Sequence, residues 1–118
     1  MLMPTRVIIV EDSFAVADSL RFLLSTAECE VVGMAGSVQT ALDLVAKTPF
    51  DVALLDIDLR GELVTAVADA IRELGKPLIF LSAYGDDAML PPELRDRPRL
   101  EKPVDARTLL ALIERVRQ

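Results

Sequence analysis

The chain has 118 residues, a formal net charge of −6, 52 % hydrophobic residues of which few are aromatic, one cysteine and no histidine. That length and composition fit one domain with an aliphatic core, and exclude a disordered chain. The acidic balance argues against nonspecific nucleic-acid binding, which needs Lys and Arg to neutralise phosphates.

Other exclusions follow. Without histidine there is no histidine base and no phosphohistidine. A zinc site is excluded in practice, because Cys29 is the only soft ligand, and it has no disulfide partner within the chain. A resident metal would be held by oxygen, which means Mg²⁺ or Ca²⁺. No uninterrupted apolar run approaches the ~18 residues of a membrane span. The six residues before the first apolar run are too short for a secretory signal. The expectation is a cytoplasmic protein with no membrane and no nucleic-acid partner.

Arg6 to Val10 is a β-branched run, predicting a buried strand that stops at Glu11-Asp12. Ser13 caps a helix over Phe14 to Thr26, with Val16, Leu20, Leu23 and Leu24 as its apolar stripe. Glu30 to Ala35 predicts a second strand and Gly36 a turn. Ser37 caps a second helix with Val38, Ala41, Leu42 and Val45 at helical spacing, and Pro49 ends that unit. Val52 to Leu55 is what a strand buried on both faces requires, and Asp56 stands where it emerges.

Gly61 breaks the chain. A third helix is predicted over Leu63 to Leu74, with Val64, Val67, Ile71 and Leu74 on one face and Gly75 as its C-terminal cap. Pro77 to Leu81 predicts a fourth buried strand ending at Ser82. Ala83 to Pro98 holds three prolines and no long stripe; Pro92 to Arg95 opens at most a short helix. Arg99 to Glu101 is a brief strand closed by Lys102-Pro103. Asp105 caps a final helix with Leu109, Leu112, Ile113 and Val116 inward. Five alternating strand–helix units predict an α/β, doubly wound, parallel sheet of five strands.

The strand ends carry the chemistry. In a parallel sheet Glu11-Asp12, Asp56, Ser82 and Lys102 all emerge at one edge, where ligands gather. Three clustered carboxylates repel one another unless a cation joins them. Mg²⁺ accepts such ligands and keeps several waters. A phosphoryl group brought there could be attacked by Asp56, with Lys102 and the Ser82 hydroxyl stabilising its oxygens.

An acidic pair after strand one, Asp after strand three, Ser after strand four and Lys-Pro after strand five resemble the response-regulator receiver domain, over essentially the whole chain. The resemblance implies the flavodoxin-like fold with strand order 2-1-3-4-5. It implies Asp56 as phosphoacceptor, and Mg²⁺ held by Asp12, Asp56 and the backbone carbonyl of Asp58, with Glu11 acting through water. It implies Ser82 and Lys102 on the phosphoryl group and a cis bond before Pro103. Arg99 stands where such domains usually carry a switching Tyr or Phe. Phe80-Leu81-Ser82-Ala83-Tyr84-Gly85 resembles, with substitutions, the Phe-Ala-Thr-Gly-Tyr-type motif of a single-domain subgroup known mainly from alphaproteobacteria. Tyr84 is therefore expected to take over the switch, with Asp58 tuning phosphoryl lifetime.

The implied function is that of a two-component or phosphorelay phosphoacceptor. It would take its phosphoryl group from a histidine kinase or phosphotransfer protein and signal to a downstream protein target. Such a domain labels and dephosphorylates itself rather than turning over as an enzyme. Residues 1–118 are expected to form the receiver alone, without an output domain, as a monomer or weak homodimer. Three rivals remain. Asp56-Ile57-Asp58 matches the Asp-x-Asp signature of haloacid-dehalogenase-type phosphatases, although that strand normally comes first. A flavodoxin-like flavin binder needs a phosphate loop where Glu11-Asp12 would repel phosphate. A receiver-like module that binds partners without phosphorylation is the third.

Overall fold

The computed structural model describes residues 3–83 and 86–117. Strands β1 (Thr5–Val10), β2 (Cys29–Ala35), β3 (Val52–Asp56), β4 (Leu78–Ser82) and β5 (Arg99–Glu101) form one parallel sheet. Its order is β2-β1-β3-β4-β5, as the resemblance to receiver domains implies. Helices α1 (Phe14–Ser25), α2 (Val38–Lys47), α3 (Thr65–Glu73) and α4 (Ala106–Val116) cover its two faces.

Side-chain alternation sorts the sheet into two cores. Ile8 and Val10 of β1, Ala53 and Leu55 of β3, and Leu78 and Phe80 of β4 face α2 and α3. Val7, Ile9, Val52, Leu54, Ile79 and Leu81 face α1 and α4, meeting Ala17, Leu20, Leu24, Leu109 and Ile113. Every residue of β3 and β4 is buried, which is why these two strands read as continuous apolar runs. The helices start at their predicted caps. Ser13 Oγ accepts the Val16 N–H at 3.3 Å, Asp105 Oδ2 accepts the Thr108 N–H at 2.9 Å, and Ser37 and Thr40 form a reciprocal capping box.

Two details depart from expectation. Leu63 is not helical: Asp58–Leu59 and Glu62–Leu63 pair antiparallel in a two-residue hairpin whose turn is Arg60 (φ 52°) and Gly61 (φ 85°). Helix α3 consequently starts at Thr65, and its N-cap residue Val64 offers no side-chain bond. Leu74, expected inward, is the half-exposed C-cap, because the positive φ of Gly75 turns the chain away. Between β4 and β5 there is no α-helix among the described residues. Two short 3-10 turns (Asp86–Met89 and Pro92–Leu94) carry the chain, and Leu90 and Leu94 fill the core there. Pro91, Pro92 and Pro98 supply no N–H for a longer helix.

The central strands carry the folding energy. Phe80→Ala should lower unfolding stability by about 3–5 kcal/mol through lost burial and a residual cavity, read as a fall in the urea midpoint with unchanged slope.

Candidate functional site

The ladder itself brings the functional residues together. Glu11 extends β1 by one residue, its N–H donating to Ala35 O at 2.9 Å. Asp56 ends β3 in register with Leu81, and the next N–H, from Ile57, donates to Leu81 O at 3.1 Å. Ser82 ends β4, and its carbonyl accepts the Lys102 N–H at 2.8 Å. Neighbouring strands lie about 4.8 Å apart, so groups leaving β1, β3 and β4 at the same level meet at one edge.

Lys102 Nζ bridges the buried pair, 2.6 Å from Glu11 Oε1 and 3.0 Å from Asp56 Oδ2. Glu11 and Asp56 are each only 4 % exposed. The two acids divide the lysine unequally. Burial pushes Glu11 up, but the close Lys102 contact, the Ser13 N–H on Oε2 (3.0 Å) and Asp12 together hold it below the usual carboxylate range. Burial pushes Asp56 up to about 6; the longer Lys102 contact lowers it only in part, and the Glu11 charge raises it again. Burial lowers Lys102, but its two carboxylate partners more than offset this and keep it protonated.

Asp12 completes the acidic group: one carboxylate oxygen each from Glu11, Asp12 and Asp56 lie within 4.8 Å of one another. The donor set is all oxygen, and three carboxylates against one lysine leave excess negative charge, so the residues present fit a divalent cation. Ser82 is buried at the same edge, one residue beyond the Leu81 that pairs with Asp56. The Asp58 carboxylate is engaged locally, accepting the Gly61 N–H at 2.8 Å. The Lys102–Pro103 bond is cis. Arg99 is an exposed residue of β5 in register with Phe80. Tyr84 lies outside the described residues.

One residue at the site was not singled out from sequence. Arg60 reaches Asp12 from the hairpin, Nε to Oδ2 at 3.7 Å, and donates to the Asp12 carbonyl at 3.5 Å. Its side chain is 78 % exposed. Its left-handed backbone costs about 1 kcal/mol that glycine would avoid.

Residues 7–114 match the response regulator receiver domain family. The sensory transduction protein LytT of Bacillus anthracis is 27 % identical over 116 residues, covering 96 % of this chain and 47 % of that protein. The chain spans about half the length of the curated relatives it matches. The solution structure of SdrG from Sphingomonas melonis Fr1 superposes with a TM-score of 0.83 at 34 % identity, covering 97 % of this chain and 99 % of SdrG. The receiver domain of the PhyR response regulator from Erythrobacter litoralis gives 0.82 at 26 % identity, covering 96 % and 89 %. The chain belongs to the response regulator receiver domain family.

Because the Asp56 carboxyl is raised from its ordinary 3.8 to about 6, its ionised form opposes folding of the metal-free protein. That penalty is full above about pH 6 and is relieved as pH falls from there toward the unfolded value. Asp56→Asn should therefore raise the thermal midpoint at neutral pH in a chelator, and the gain should shrink on acidification. A gain that is constant across this window would contradict the assignment.

Proposed function

We propose that Asp56 is the phosphoacceptor of this receiver and that Glu11, Asp12, Ser82 and Lys102 serve its phosphorylation. The observation that carries the reading is the shared lysine: Lys102 Nζ lies 3.0 Å from Asp56 Oδ2 and 2.6 Å from Glu11 Oε1 at one sheet edge. In the reaction an Asp56 carboxylate oxygen attacks phosphorus in line. The bond from phosphorus to the donor breaks, and the donor leaves with its electron pair. With a histidine kinase or phosphotransfer protein as donor, the bond broken is phosphorus to nitrogen.

Each residue has a derivable part. Lys102 already touches the oxygen of Asp56, so it can follow negative charge onto phosphoryl oxygens bonded there. Glu11 holds that ammonium in place, itself fixed by the Ser13 N–H. Ser82, buried on the neighbouring strand, offers a hydroxyl to the same group. Mg²⁺ bound by Asp12, Asp56 and the Asp58 carbonyl, with Glu11 through water, would supply the positive charge that the acidic set lacks. Receiver domains of this family interact with histidine kinases or phosphotransfer partners and are in general phosphoacceptors rather than turnover enzymes. The same traffic, followed by contact with a downstream protein, is the function proposed for this chain, with Tyr84 or Arg99 at the readout.

Acetyl phosphate with Mg²⁺ should add one phosphoryl group per chain, read by intact mass. The adduct should be absent in Asp56→Asn and in chelator. An adduct that persists in Asp56→Asn would remove the assignment, and no adduct from any phosphodonor would favour a module that binds without phosphorylation.

A further inference from the structure

The three carboxylates are divided between two cations of different character. Lys102 serves Glu11 and Asp56 and is largely covered, its side chain 26 % exposed. Asp12 instead faces Arg60, which reaches it from 48 residues away. The hairpin defines where that guanidinium starts: the Asp58–Leu63 and Leu59–Glu62 pairs close the turn, and the Asp58 carboxylate accepts the Gly61 N–H. The turn does not call for arginine. Both of its residues have positive φ, a conformation served better by Asn or Gly than by a long side chain.

We infer that Arg60 is a built-in competitor for the cation site: it neutralises Asp12 in the metal-free protein and must leave that carboxylate when a divalent cation binds. The inference rests on reading the acidic group as a Mg²⁺ site. An exposed ion pair at 3.7 Å is weak and screened by salt. Arg60 therefore sets a modest threshold for metal, steep in ionic strength, rather than a block. Its departure also frees the guanidinium on the loop that directly follows Asp56, so metal occupancy is coupled to the exposed hairpin.

Calorimetric titration of MgCl₂ into the full metal-free chain tests this. Arg60→Ala should bind Mg²⁺ roughly two- to fivefold more tightly than wild type at low salt. The difference should shrink at high salt, and Arg60→Lys should fall near wild type. Alanine keeps the same backbone penalty as arginine in the turn, so the gain cannot come from a relaxed hairpin. Equal affinities at low salt, or a gap indifferent to salt, overturn the proposal. Silence from wild type and Arg60→Ala alike overturns the metal reading and this proposal with it, whereas binding by Arg60→Ala alone supports both.

A metal-free readout is independent of the titration. In chelator, Arg60→Ala should lower the thermal midpoint more in the wild-type chain than in Asp12→Asn, where only the bond to the carbonyl of residue 12 remains to be lost. Equal shifts in both backgrounds would show that Arg60 does not act through the Asp12 carboxylate and would overturn the proposal.

Discussion

The ammonium of Lys102, held between Glu11 and Asp56, is what lets two buried carboxylates share one end of an apolar sheet. Each acid alone would be costly to ionise there. The lysine joins β5 to β1 and β3 across sequence separations of 91 and 46 residues, so the site exists only once the sheet has closed in its final order. The same contact sorts the two acids. Glu11 has the shorter bond and a backbone N–H besides, and stays ionised. Asp56 has the longer bond and is the acid closer to taking a proton. Asp56, the less satisfied member of the pair, is the acid proposed as the nucleophile.

The sheet was legible because its central strands are buried on both faces, and such strands announce themselves as unbroken aliphatic runs. Val52 to Leu55 and Leu78 to Leu81 fit nothing else in a chain of this size. The site was legible for the same reason: once the strands are parallel, their last residues have to share an edge. What escaped lies in the short connections. The Asp58–Leu63 hairpin has too few residues for a period, and Leu63 and Val64 extended the helical pattern of α3 by accident of spacing. Arg60 escaped because its partner, Asp12, is remote in sequence and is met only through the turn. Between β4 and β5 the prolines did signal a missing helix, but not that Leu90 and Leu94 would replace its buried stripe.

Two of the rivals considered from sequence lose their ground for physical reasons. The Asp-x-Asp pattern suggested a phosphatase in which the second carboxylate takes part in chemistry. Here the Asp58 side chain is spent on the Gly61 N–H and is not one of the three grouped carboxylates. A flavin phosphate would have to enter an edge already occupied by Glu11, Asp12 and Asp56. Membership of the receiver family accounts for the strand order.

The two-residue turn at Arg60-Gly61 has a consequence for what position 60 can become. Judged by backbone alone, Asn, Asp and Gly suit its positive φ best. Judged by charge, Asp would set a fourth carboxylate beside three that already repel. The turn and the site thus make different demands on the side chain. Arginine is tolerated by the first and favoured by the second, Asp the reverse, and only neutral Asn and Gly satisfy the turn without offending the site.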